Sequence, residues 1–263
     1  MEQKPKVVIL CGGKGTRLQE ETEYRPKPLV AVGGMPILWH IMKIYSHYGY
    51  NDFVLCLGYK GDMIKQYFLN YQFNVHDFTL SMKDKTKVVH NNDIVPDWNI
   101  TFANTGLESN TGSRIKQIEK YIDADNFFLT YGDGVADVNI PELFRFHKKH
   151  GKIGTVTSVR PSTRFGNLTI QEDGSILDFT KTTKLHDGWI DGCFFVFKKE
   201  MFDYLSSDKN CMLESDPLKT LAKDKQFMSY KHPGFWQCMD TQRELEILNG
   251  LWSSGNPAWR MWK

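Results

Sequence analysis

The chain of 263 residues predicts an α/β fold: a mixed, mostly parallel sheet flanked by helices, with a small β-hairpin excursion. Three observations carry that reading. Apolar runs at 7–11 and 53–57 are bounded by glycine and too short for helices, so they read as strands buried on both faces. Each is followed, after a glycine-bearing turn, by apolar residues at helical spacing: Ile37, Leu38, Ile41, Met42, Ile44 and Tyr45 in the first case, Met63, Ile64, Tyr67, Phe68 and Tyr71 in the second. Strand and helix alternating over such short distances place parallel strands side by side under covering helices.

The first strand, 7–11, runs into Gly12-Gly13-Lys14-Gly15-Thr16-Arg17. Three glycines in four positions let backbone amides approach a ligand closely. Lys14, Arg17 and Lys27 set positive charge around the same turn, and amide dipoles with cations favour clustered negative charge, as in a phosphate cradle. The spacing is neither that of the dinucleotide fingerprint nor that of the P-loop. Pro36 opens a helix over 37–48, stopped by Gly49; its His40 and His47 read as packing or surface residues rather than metal ligands. Strand 53–57 closes at Gly58, and a helix follows over 60–71. Residues 72–98, rich in Asn, Asp and Lys, read as loops with weak strands at the sheet's edge.

A half-buried strand over 99–104 leads through Thr105-Gly106 to a helix opening at Thr111-Gly112-Ser113-Arg114. This second glycine-bearing turn also lies at a strand's carboxyl end, where open α/β sheets bind ligands. A capped helix start with a surface arginine is the other reading of the same residues. The aromatic run 127–131 ends in Gly132-Asp133-Gly134. A carboxylate there can hold a divalent cation against phosphates at the glycine loop, or it is an Asp-Gly turn without a ligand. A helix over 140–150 and a strand over 154–159 follow. A hairpin pairs 168–170 with 176–179 around Asp173-Gly174, and a buried strand covers 191–197. Asp240 immediately precedes a closing helix over 243–252, where it is either the N-cap or a second metal ligand; spacing leaves both open. With no repeat, low-complexity tract or linker, one domain over 1–263 is expected, ending in this helix and a Trp-rich tail at about 241–263.

Hydrophobic residues make up 41% and charged residues 24%, an ordinary balance for a soluble globular protein. A net charge of +2 gives no electrostatic case for nucleic acid or an anionic membrane surface. Five scattered cysteines, three of them (Cys11, Cys56, Cys193) inside apolar runs, suit a reducing compartment. No signal peptide precedes the first strand, and no apolar run approaches membrane-spanning length. A cytoplasmic protein is expected.

The motifs LCGGKGTRL, RPKPLV, GGMPILWHIMKIYSHYG, LGYKG, TGSR, YGDGVADV, FHKKHGK, RFGNL and HPGFWQCMDT, with Trp252, Pro257, Trp259 and Trp262, cover nearly the whole chain. In them the sequence resembles the sugar-phosphate nucleotidyltransferases, and within these the branch that makes CDP-glucose from CTP and α-D-glucose 1-phosphate for polysaccharide biosynthesis. The resemblance implies a Rossmann-like nucleotidyltransferase fold and a homo-oligomer. It assigns Leu10, Cys11, Gly12, Gly13, Lys14, Gly15, Thr16, Arg17 and Lys27 to CTP, and Ser109, Arg114 and Gly132 to the nucleotide site. Asp133 and Asp240 become Mg²⁺ ligands, and Arg17, Lys27 and Asp133 the groups that act on the reacting phosphates. One region departs from the pattern. Lys181-Thr182-Thr183 stands where the family has Glu-Lys-Pro, and Asp191 and Cys193 replace an asparagine and a glycine. In relatives that glutamate and lysine serve the sugar-phosphate acceptor, so Lys181 and Asp191 are the acceptor-side candidates here. The change leaves open a cytidylyltransferase for another phosphorylated acceptor, or a silent nucleotide-binding regulatory protein. Glycine spacing disfavours a dinucleotide-dependent oxidoreductase.

Overall fold

A computed structural model describes residues 3–90, 95–160, 167–171, 175–180 and 188–262. Among these, seven strands form the central sheet: β1 (Val7–Cys11), β2 (Asp52–Leu57), β3 (Asn99–Asn104), β4 (Asn126–Tyr131), β5 (Gly154–Val159), β6 (Ile190–Lys198) and β7 (Phe227–Lys231). Their spatial order is β7-β5-β6-β4-β1-β2-β3. Every pairing is parallel except those of β6, which runs against both neighbours, with Phe194 opposite Thr130 and Phe197 opposite Gly154. The expected mixed, mostly parallel sheet is present. The reversal of β6 has a consequence for position. Its first residues, Asp191 to Cys193, come to lie at the carboxyl end of β4, the edge where the loop after β1 also emerges.

Side chains alternate across β1 as the pleat requires. Val7, Ile9 and Cys11 face a core shared with α1 (Ile37–His47), α4 (Ile140–His150) and α6 (Gln242–Ser253). Val8 and Leu10 face a second core, closed by α3 (Thr111–Gln117) and α5 (Asp216–Lys223). Burial on both faces explains why the strand reads as a continuous apolar run. The Trp-rich tail packs over α1: Trp259 is fully buried, and the Trp252 and Trp262 rings lie against His40. His40 donates from Nε2 to the Val32 carbonyl at 2.8 Å and accepts from Trp259 Nε1 at 3.4 Å, which satisfies both ring nitrogens and bears out its packing role.

Several expected boundaries shift. The helix anticipated over 60–71 breaks at Asn70 into α2 (Gly61–Leu69) and the short helix Tyr71–Val75. The edge excursion contains a two-stranded hairpin, Phe78–Leu80 with Lys87–Val89. The second hairpin pairs Asn167–Ile170 with Ile176–Thr180; its Asp173-Gly174 turn, and Lys181, lie outside the described residues. Two elements were not foreseen. The helix α5 spans only eight residues, with Pro217 and Leu221 buried on one face, and β7 is an edge strand whose Met228, Ser229 and Lys231 are exposed; each offers too few apolar residues to stand out in the sequence. A two-strand ladder also joins Trp236–Cys238 to Gly134–Ala136, with Cys238 opposite Gly134.

His147, at the buried face of α4, bonds Thr155 Oγ1 (2.8 Å) and Asn126 Oδ1 (3.1 Å). Burial, aided by His150 and Lys198, pushes its pKa down to about 3; burial takes His40 to about 4. Both rings therefore stay neutral in the fold at pH values where the unfolded chain, near its ordinary value of about 6.5, takes up protons. Their contribution is complete above pH ~6.5 and is lost as the pH falls through the folded values. The melting temperature is expected to drop on acidification from pH 6.5 toward 4, and His147→Gln to flatten that slope in calorimetry; an unchanged slope would refute the assignment.

Candidate active site at the head of the first strand

The loop after β1 begins where the sheet's carboxyl edge opens. Gly15 takes a left-handed conformation (φ +63°), which starts the 3₁₀ turn Thr16–Leu18 and which only glycine adopts freely. Gly12 is required for a different reason. A Cβ there would stand 2.3 Å from the Arg114 guanidinium. Arg114 is buried and donates to the carbonyls of Gly12 (3.0 Å), Leu57 (3.2 Å), Gly106 (2.6 Å) and Leu107 (3.3 Å), and to Thr105 Oγ1 (2.8 Å). It is a clamp that ties the loops after β1, β2 and β3 into one wall. The sequence reading of a surface arginine is thus set aside by its burial.

Lys27 reaches the same edge from the turn Lys27–Leu29 and is only 8% exposed. Its ammonium bonds Asp133 Oδ2 at 2.6 Å and also Asp240 Oδ1; Arg17 pairs with the other Asp240 oxygen at 2.7 Å. Burial alone would lower the Lys27 pKa, but Asp133 and Asp240 outweigh it and hold it above the ordinary lysine value. The two aspartates meet because of the Gly134–Cys238 ladder, reinforced by Met239 N–H donating to the Asp133 carbonyl at 2.9 Å. The N-cap reading of Asp240 is excluded. Thr241 is the N-cap of α6, in a capping box with Glu244, so the Asp240 carboxylate is directed into the site. Two carboxylates converging on one positive group offer the oxygen donors that a hard divalent cation takes, with its other positions filled by phosphate or water. Among the described residues no cluster of three or more His, Cys, Asp or Glu could hold an ion by itself.

Leu10, Cys11, Gly12, Gly13, Gly15, Arg17, Lys27, Ser109, Arg114, Gly132 and Asp133 all line one cavity of about 270 Å³. Lys14 is turned outward into an exposed pair with Glu108 at 2.9 Å, so of the loop's three cations only Arg17 and Lys27 face the cavity. A model of the nucleotidyl transferases matches residues 6–241. The chain belongs to the nucleotidyl transferase family. It is 47% identical over 257 residues to a probable glucose-1-phosphate cytidylyltransferase of Bacillus subtilis, covering 98% of this chain and all of that one. It is also 47% identical over 259 residues to glucose-1-phosphate cytidylyltransferase of Salmonella typhi, with the same coverage. A solved structure described as a putative glucose-1-phosphate thymidylyltransferase from Bacillus anthracis superposes with a TM-score of 0.67 at 17% identity, over 94% of this chain and 95% of the other; it shares the fold.

Within this nucleotidyl transferase site, sequence reasoning missed the wall opposite the aspartates. Tyr131, Asn110 and Thr111 line the cavity, and Tyr131 and Thr111 both donate to Glu214, the latter at 2.7 Å. Glu214 comes from a loop with no motif, so nothing local announces it. Asp191 accepts from the Cys193 amide at 2.6 Å. The residue is exposed by surface area, but the protein packed around its carboxyl disfavours the charge; that, with Glu214 nearby and against the Cys193 amide, pushes its pKa up to about 6. Cys193 sits at φ +66°, in the left-handed region, which accounts for the glycine that relatives carry there.

Removing the Arg114 guanidinium takes a charged donor from the Gly106 and Leu107 carbonyls, while those of Gly12 and Leu57 keep the Tyr59 and Thr105 amides; each hydrogen bond to a charged group is worth about 1.5–3 kcal/mol. Arg114→Met is expected to lower the melting temperature and weaken nucleotide binding in calorimetric titration. Lys14→Ala breaks an exposed pair worth at most about 1 kcal/mol and should leave the melting temperature unchanged.

Proposed function

We propose that the chain transfers CMP from CTP to a sugar 1-phosphate, α-D-glucose 1-phosphate foremost, releasing CDP-sugar and pyrophosphate. The observation that carries this is the convergence of Lys27, Arg17, Asp133 and Asp240 beside an amide-lined loop, in a chain 47% identical over its length to two glucose-1-phosphate cytidylyltransferases. Members of the family generally use a divalent metal. We take the ion to be Mg²⁺, held by Asp133 and Asp240, where it would neutralise charge on the leaving pyrophosphate. Among the described residues no helix is long and apolar enough to cross a membrane; we read the protein as a cytoplasmic homo-oligomer built from one nucleotidyl transferase domain.

The chemistry asked of the residues is positioning. A phosphate monoester is mostly dianionic at neutral pH, its second pKa being about 6, so its oxygen attacks the α-phosphorus without a general base. Among the described residues no histidine lines the cavity. What must be overcome is repulsion between anions and charge building on the leaving group. Lys27, buried and kept charged, and Arg17, at the rim with a side chain 74% exposed, supply that compensation. The amides of the glycine loop hold the triphosphate, and the Arg114 clamp keeps them aimed. Cytosine offers an amino donor where uracil has a carbonyl.

On the acceptor side, the departures at Asp191 and Cys193 favour one second reading, a cytidylyltransferase acting on a different phosphorylated acceptor. Pyrophosphate release with CTP, Mg²⁺ and a panel of sugar and polyol phosphates separates the two: glucose 1-phosphate is expected to be turned over fastest. No release with any acceptor would overturn the enzymatic reading. Lys27→Met and Asp133→Asn should each lower turnover at least about a hundredfold, the usual effect of deleting one charge-stabilising group, with circular dichroism unchanged. Wild-type rates in either variant would remove these residues from the mechanism.

A further inference from the structure

Asp240 stands at a place in the chain where a carboxylate has two competing uses. It directly precedes α6, whose first amides lack intrahelical partners and attract any nearby carboxylate. A side chain that turned back onto those amides would leave the cavity. The surrounding contacts prevent this. Thr241 Oγ1 accepts from the Glu244 amide at 3.4 Å. A single oxygen of Glu244, Oε2, accepts from the Asp240 amide (2.8 Å), the Thr241 amide (2.9 Å) and the Thr241 hydroxyl (3.1 Å). The other oxygen lies 3.8 Å from Cys238 Sγ, on the strand that pairs with Gly134. One carboxylate thus fastens the backbone on both sides of the Asp240–Thr241 junction and touches the ladder that brings Asp133 alongside.

We propose that Glu244 is a positioning residue for the divalent-ion site: by occupying the amides at the start of α6, it keeps the Asp240 carboxylate turned toward Lys27, Arg17 and the ion. The inference rests on the reading of Asp240 as an ion ligand and adds a residue that does not itself enter the cavity. Asp240 is shared between Lys27 and Arg17 in front, and its aim is set from behind, by its backbone. Partners that orient an ion's ligands typically change metal affinity by about 10–100-fold when removed. Glu244→Ala removes the acceptor altogether and releases the Asp240 and Thr241 amides, so that the junction, and the Asp240 carboxylate with it, can turn away. Glu244→Gln keeps an acceptor oxygen in place and should preserve the aim.

The test is Mn²⁺ binding to the CTP-loaded protein, followed by electron paramagnetic resonance of the free ion, beside melting temperatures of the same variants. Glu244→Ala is expected to weaken Mn²⁺ binding about tenfold or more, and Glu244→Gln to restore most of it. Asp240→Asn serves as the reference. Should Asp240→Asn lose Mn²⁺ while Glu244→Ala binds it as wild type does and only melts earlier, Glu244 is a helix cap alone and the inference fails. Should Asp240→Asn also bind as wild type, the ion-ligand reading fails and takes the inference with it. If Glu244→Ala does not fold, Glu244→Gln and Glu244→Asp still decide: a shorter carboxylate that misses the amides should weaken the ion and the amide should not, and equal affinities in the two overturn the proposal.

Discussion

The arrangement depends on one buried ammonium held between two carboxylates, one from the middle of the chain and one from near its end. Lys27, Asp133 and Asp240 are separated by more than a hundred residues at each step, yet they share one cluster of hydrogen bonds. Such a cluster is costly to desolvate and is weak evidence for stability in itself. Its value lies in function: a pocket that will receive a triphosphate must concentrate positive charge, and a pair of carboxylates keeps that charge in place until phosphates arrive. The raised pKa of Lys27 expresses the same coupling, since its neighbours more than offset the cost of burial.

Two topological features make the meeting possible. Parallel strands β4 and β1 lie in register, Leu10 beside Tyr131, so the turns that follow them open on one edge. The short ladder between Trp236–Cys238 and Gly134–Ala136 then carries the last tenth of the chain back to that edge. Arg114 completes the construction from the other side, using its fixed fork of donors to collect backbone carbonyls from three loops. A lysine, with a compact point charge, would not satisfy that many acceptors. The glycine at position 12 is as much a consequence of this arginine as of any ligand.

The acceptor side is organised by the one reversed strand. Because β6 runs against β4, Asp191 and Cys193 at its start face the cavity's rim, and the left-handed backbone at Cys193 bends the strand there. Tyr131, Thr111 and Glu214 form a hydroxyl-carboxylate group nearby.

Much of this molecule is legible in its residues read in order. Strands buried on both faces announce themselves as unbroken apolar runs, as in β1 and β2. A helix such as α4 has caps at both ends, Asn139 and Gly151. The glycine loop with Arg17 and Lys27, and Asp133 between its glycines, are local patterns whose chemistry follows from residue type. The elements that escaped, α5 and β7, are short and half exposed, so the few apolar residues each buries do not stand out. Tertiary structure alone decided which way Asp240 points, that Arg114 clamps backbone rather than facing solvent, that Lys14 turns away to Glu108, and that Glu214 meets the cavity-lining Tyr131 and Thr111. Each of these depends on a partner a hundred or so residues distant, or on a competition between neighbouring hydrogen-bond acceptors. A linear pattern records neither, because it specifies what a side chain can do and leaves to the fold which group will be there to receive it.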